Sequence, residues 1–113
     1  MKILVVKPLE EPIEAEIDGS LESMQKTVGG LIQAIYPFEE NDTALVCNDE
    51  GKINGLPLNR AIKDKDGKIY DIIAGTFFLC SAPADSDSFE SLSEEKIQKY
   101  KERFKNIELY IKN

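Results

Sequence analysis

The chain begins with the short apolar run Lys2-Ile3-Leu4-Val5-Val6-Lys7, which is followed, after the connection 8–12, by Ile13-Glu14-Ala15-Glu16-Ile17. In the second segment apolar and acidic residues alternate with a period of two, which is typical of a half-exposed strand. The prolines are confined to the connection, where they interrupt no strand ladder. The two segments together therefore predict an N-terminal β-hairpin.

Helical patterns follow at two places. Asp18-Gly19-Ser20 predicts a turn and a helix cap, and apolar residues at helical spacing from 21 to 28, stopped by Gly29-Gly30, predict a short helix of about two turns. A second helix is predicted to begin at the capping box Ser91-Leu92-Ser93-Glu94. Its apolar face is expected to pack on a sheet. The residues of that face are Ile97, Tyr100, Phe104 and Ile107.

Further strands are predicted at 31–36, 44–48, 68–73 and 75–81, whereas 52–62 contains glycine and proline and is predicted to be irregular, with one helical turn. The length of 113 residues predicts a single domain spanning 1–113. We expect an α+β fold in which a mainly antiparallel sheet of about five to six strands is covered by the C-terminal helix and the short helix.

Two cysteines, Cys47 and Cys80, lie within apolar runs. Buried thiols behave as small hydrophobic side chains, so we expect two reduced core cysteines, although a disulfide between them is geometrically possible. The longest apolar run at the N-terminus has four residues, far too few for a signal peptide or a membrane span. We therefore expect a cytoplasmic protein that does not contact membranes.

Composition excludes several classes of function. The chain has no histidine, which removes histidine-based zinc sites and the usual catalytic triads. Its isolated glycines form no phosphate-binding loop. The net charge of −7 repels phosphate backbones, which disfavours direct nucleic-acid binding. We expect a protein that is not an enzyme and that uses no cofactor or metal.

Four residues are candidates for binding a small ligand: Asn54, Asn59, Arg60 and Arg103. A guanidinium beside an asparagine in a loop shaped by glycine and proline could clamp a phosphate or carboxylate. The structural alternative for Arg60 is an ion pair with Asp71 or Glu50. The asparagines, likewise, could simply bond the backbone in turns.

A second set of residues suits a protein partner. Phe38 stands between a proline and two glutamates in a predicted loop, so we expect it to be exposed. The polar stretch 82–93 contains Asp85, Asp87 and Glu90 and no basic residue. Most other aromatic residues lie in predicted strands and are expected to be core.

The stretches 47–60 and 69–78, together with Val28-Gly29-Gly30, Tyr36-Pro37-Phe38 and Ser91-Leu92-Ser93, resemble the family catalogued as domain of unknown function three-eight-four-six. This resemblance covers nearly the whole chain. Because the family occurs in phages, conjugative elements and gut bacteria, it implies a compact cytosolic domain of mobile-element origin. It implies no reaction and no catalytic residues.

Two functions are therefore expected. The first is an accessory protein of a phage or mobile element that binds a protein partner, for example as an inhibitor of a host defence protein. The extreme form of this hypothesis is a DNA mimic that occupies a basic groove. The alternative is a small-molecule binding protein that sequesters a nucleotide-type signal. In either case an exposed strand edge would permit a homodimer.

Overall fold

The structure, a computed structural model, describes residues 1–110. Its helices and strands, in chain order, are β1 (Lys2–Val6), β2 (Ile13–Glu16), α1 (Leu21–Val28), β3 (Ile32–Ile35), β4 (Thr43–Asn48), β5 (Leu58–Lys63), β6 (Ile69–Ala74), β7 (Phe77–Ser81) and α2 (Glu94–Arg103). The last three residues of the predicted domain 1–113 lie outside the described residues.

Five strands form one sheet in the order β2-β1-β7-β4-β3, and β5 and β6 form a separate hairpin. All the neighbouring strands are antiparallel. The predicted α+β fold and the N-terminal hairpin β1–β2 are thus confirmed.

The three central strands β1, β7 and β4 are continuous apolar runs because both faces of the sheet are covered. On one face Ile3, Val46 and Phe78 pack with α1. On the other, Leu4, Leu45 and Phe77 pack with α2 and the hairpin β5–β6. The alternation of side chains along each strand therefore builds two cores from one sheet.

Helix α1 begins and ends as its sequence predicts. The Ser20 side chain accepts a hydrogen bond from the Ser23 backbone N–H at 3.0 Å. Gly29 ends the helix with a φ of 80°, in the left-handed region that glycine adopts without strain. Met24 and Val28 are buried against the sheet.

Helix α2 begins two residues later than the predicted capping box. Its N-cap is Ser93, whose side chain accepts from the Lys96 backbone N–H at 3.3 Å. Ser91 instead accepts a hydrogen bond from the backbone N–H of Lys2 at 2.9 Å, which ties the segment before the helix to β1. The predicted apolar face is buried as far as Phe104, whereas Ile107 lies beyond the helix and is 44% exposed.

The prediction of irregular backbone at 52–62 is wrong in its second half, because β5 begins at Leu58. The glycine and proline precede the strand, and the strand is defined by its pairing with β6. Its two central polar residues, Asn59 and Arg60, are fully buried, so the period of two that marks an exposed strand is absent from the sequence.

Within residues 1–110, the two helices are too short and too polar to cross a membrane.

Both cysteines are buried and free. Burial raises the pKa of the Cys47 thiol to about 11 and that of Cys80 to about 12, so neither forms a thiolate near neutral pH.

We expect both thiols to resist a disulfide-exchange reagent at pH 8 and to react rapidly in denaturant. Rapid reaction of the folded protein would contradict this placement.

Candidate functional site

Arg60 lies at the centre of a buried hydrogen-bond network. It is fully buried, and its guanidinium donates to the Phe104 carbonyl at 3.1 Å and to the Glu10 carbonyl at 2.7 Å. A third bond of 2.8 Å goes to the Asn59 side chain. Desolvation lowers the pKa of Arg60 from its ordinary value, and the nearby Glu108 opposes that shift.

Asn59 extends this network to the large sheet. Its side-chain N–H groups donate to the carbonyls of Val6 and Gly75, each at 2.9 Å. Asn59 and Arg60 together therefore tie the hairpin β5–β6 to the end of β1, to the turn before β7, to the loop after β1 and to the end of α2. We call these two residues the buried clamp.

The buried clamp overturns the predicted role of Arg60 and Asn59 as ligand contacts, since neither is accessible to solvent. The alternative of a structural role agrees with these contacts, but its predicted partners are wrong. Arg60 bonds carbonyl oxygens, Asp71 pairs with Lys52 at 2.6 Å, and Glu50 is exposed. Asn54 lies in an exposed turn, where its backbone N–H donates to Glu50.

Arg103 is exposed and lies elsewhere. Its guanidinium stacks over the Phe38 ring at 4.9 Å and donates to the Lys63 carbonyl at 3.2 Å. It lines a shallow cavity of about 310 Å³ with three lysines, but two carboxylates line the same cavity. The four predicted ligand residues therefore do not form one anion site.

Replacing Arg60 tests its structural role. We expect Arg60→Leu to lower the free energy of unfolding by about 3 kcal/mol or more, because two buried acceptors and one half-buried acceptor lose their donor at about 1–3 kcal/mol each. The exposed Arg103→Lys should cost less than about 1 kcal/mol. Urea unfolding of both variants measures this difference, and equal losses would contradict it.

The prediction that Phe38 is exposed is wrong. Its exposed fraction is 6%, and its ring lies 4.6 Å from that of Tyr100 and 6.2 Å from that of Phe104. The loop after β3 folds back because this ring completes the core beneath α2. Phe38 therefore stabilises the fold and presents no surface to a partner.

Tyr100 connects this aromatic group to the surface. Its hydroxyl donates to the Glu40 carboxylate at 3.1 Å, and the same carboxylate accepts from Lys99 at 3.1 Å. The bond from Lys99, more than any other contact, lowers the pKa of Glu40. Burial, followed by the bond to Glu40, raises the pKa of Tyr100 to about 12.

This pKa predicts a loss of stability at alkaline pH. The folded pKa of Tyr100 lies above the unfolded value of about 10. The contribution of this shifted pKa to the free energy of unfolding is therefore complete below pH 10 and is lost as the pH rises through about 12. We expect Tyr100→Phe to lose less stability than the wild type between pH 8 and pH 11 in urea unfolding. Identical losses would contradict this assignment.

One end of the large sheet collects exposed acidic residues. The register places Lys2 opposite Glu16 and Thr43 opposite Ser81, so the loops after β2, β3 and β7 meet at this end. The N-terminus of α2 joins them, because the Leu92 backbone N–H donates to the Lys2 carbonyl. We call this surface the acidic end; its residues are Glu16, Asp42, Asp85, Asp87, Glu90, Glu94 and Glu95.

The predicted partner residues Asp85, Asp87 and Glu90 all belong to the acidic end and are exposed. Their loop has a defined conformation. Glu90 pairs with Ser81 as an isolated β-bridge, and the ring of Phe89 packs on the core beside α1. The role of Phe89 was not predicted, although a single aromatic residue in a polar stretch is a recognisable sign that the segment packs on a core.

The lysines at this end are already paired. Lys96 contacts Asp42 at 2.7 Å, and Lys2 contacts Glu14 at 3.4 Å. The hydrogen bond from Lys96 lowers the pKa of Asp42. The stretch 82–95 contributes five acidic residues and no basic one, so the acidic end keeps an excess of negative charge.

Metal binding finds no support in the arrangement of these acids. Among residues 1–110, no three histidine, cysteine, aspartate or glutamate side chains are grouped closely enough to hold an ion. What the acidic end offers is a set of exposed carboxylates on an ordered surface, which suits ionic contact with a positively charged molecule.

The fold and this surface define a small α+β domain with one acidic end. The sequence model of the family described as Domain of unknown function (DUF3846) matches residues 1–105. The chain therefore belongs to this family, as the resemblance predicted. No curated protein and no solved structure matched the chain.

Proposed function

We propose that this protein is a non-enzymatic binding module that contacts a positively charged protein partner through the acidic end. The observation that carries this proposal is the ordered, exposed loop with Asp85, Asp87 and Glu90. A loop whose backbone is held by the Ser81–Glu90 bridge and by Phe89 favours binding, because little loop freedom is lost on association. Its carboxylates also steer a basic partner towards the surface before contact.

The burial of Arg60 and Asn59 supports this choice over the alternative of a protein that sequesters a nucleotide-type signal. A phosphate site needs accessible donors, and the two strongest candidates already donate to protein acceptors. The exposed Arg103 shares its cavity with Glu39 and Asp64, whose charge opposes an anion.

The biological setting in this proposal is the cytoplasm of a bacterium that carries a phage or another mobile element. An acidic accessory protein there would act as an inhibitor of a host defence protein by covering its basic surface. Where that surface is a DNA-binding groove, the chain and DNA would compete for it, which is the behaviour of a DNA mimic.

Neutralising the acidic loop tests the proposal. The triple variant Asp85→Asn, Asp87→Asn and Glu90→Gln should bind the partner about tenfold more weakly, at about 0.2–1 kcal/mol for each exposed charge. The wild-type affinity should also fall as salt rises. The partner is first captured from host extract, identified by mass spectrometry and purified, and affinity is then measured by calorimetry.

A matched control removes the same charge elsewhere. Glu10→Gln, Glu11→Gln and Asp66→Asn change three exposed acids away from the loop, and affinity should change less than about twofold. Equal effects of the two triple variants would mean that affinity depends only on the net charge of the chain, and would reject the acidic end as the binding surface. An affinity independent of salt would reject it too.

A further inference from the structure

The five-stranded sheet has two outer edges, β2 and β3, which differ in how well they are protected against pairing with a further strand. Strand β2 carries exposed Glu14 and Glu16, and charged side chains on an edge discourage a further strand from pairing. The segment 31–36, which contains β3, has no charged residue and no proline. Its pairing with β4 is regular throughout. Strand β3 is therefore the unprotected edge.

The backbone of β3 directs hydrogen-bonding groups outwards. Asp49 donates from its backbone N–H to the Leu31 carbonyl at 2.8 Å. Alternate residues of an antiparallel ladder bond to the same neighbour, so Gln33 and Ile35 also bond to β4. The N–H and C=O groups of Ile32 and Ala34 consequently point to the open edge.

We propose that two copies of this chain associate through antiparallel pairing of their β3 strands, with Gln33 on the two-fold axis. In this register Ile32 lies opposite Ala34 of the partner subunit, and each such pair exchanges two main-chain hydrogen bonds. The outward groups of β3 thus complement an identical strand. The five-stranded sheet continues across the axis, and the interface is isologous.

Side chains beside the axis complement themselves in the same way. Leu31 is 58% exposed and lies opposite Ile35 of the partner subunit. Gln33 lines a cavity of about 260 Å³ together with Lys52, Asp71 and the exposed Ile53. Within one copy Lys52 and Asp71 pair with each other at 2.6 Å, so they place no net charge beside the two-fold axis. A second copy therefore finds exposed apolar side chains and no opposing net charge beside the axis, and the acidic end is not needed for pairing.

The first experiment measures mass by sedimentation equilibrium up to about 1 mM chain. The wild type should sediment at twice the chain mass of 12.7 kDa. Ala34→Pro removes an outward N–H without removing a bond to β4, and should yield monomers. The matched control Glu16→Pro removes an outward N–H at the β2 edge, because Ile17 donates to Met1 and the outward residues there are Glu14 and Glu16. It should remain dimeric.

The second experiment fixes the register and does not depend on the folding of a proline variant. Residues opposite each other in a non-hydrogen-bonded pair have Cα atoms about 4.5 Å apart, within the range of a disulfide. Because Cys47 lies opposite residue 33 on β4 and could pair with a cysteine there, the variant carries Cys47→Ala as well. Gln33→Cys in this background should form a disulfide-linked dimer in mild oxidant. The wild type, whose two cysteines are buried, should not.

Two results would overturn the proposal. One is a wild-type protein that stays monomeric at about 1 mM. This holds even if its β3 edge then pairs with an extended peptide from another protein. The other is a dimer that survives Ala34→Pro and whose Gln33→Cys variant does not cross-link. Because the acidic loop takes no part in this interface, neither result bears on the partner binding proposed above.

Discussion

The structure depends on the buried clamp formed by Asn59 and Arg60. The hairpin β5–β6 is outside the main sheet and shares no strand ladder with it. Asn59 bonds to Val6 and Gly75, and Arg60 bonds to Glu10 and Phe104, so two adjacent residues position the hairpin against four separate parts of the chain. A buried guanidinium is costly unless its donors are satisfied, and here carbonyl groups satisfy it.

The long sequence separations between the bonded residues explain why the buried clamp could not be predicted. Arg60 and Phe104 are 44 residues apart, and Asn59 and Val6 are 53 apart. A polar pair beside glycine and proline has the local pattern of an exposed loop. Phe38 misleads for the same reason, because its neighbours in sequence are polar while Tyr100 and Phe104 cover it from the far end of the chain.

Features determined by nearby residues were predictable. Alternation identified the β1–β2 hairpin, and Ser20 with Gly29 marked the ends of α1 within one turn. The exposure of Asp85, Asp87 and Glu90 followed from a stretch in which serine and acidic residues outnumber apolar ones. Strand order was not accessible to this reasoning, because register and sheet edges arise from pairing between distant segments. The acidic end and the unprotected β3 edge therefore became visible only in the structure.

The acidic end also has an energetic consequence. Lys96 and Lys99 compensate Asp42 and Glu40, which is why the pKa values of these two carboxyls fall. The three acids of the loop 82–93 have no base within their own stretch, so their mutual repulsion opposes the compact state. The chain nevertheless holds this loop in place with Phe89 and the Ser81–Glu90 bridge. A loop needed only to connect β7 to α2 would be more stable with mixed charges. Exposed carboxylates on a loop of defined conformation instead favour the proposed recognition of a basic partner.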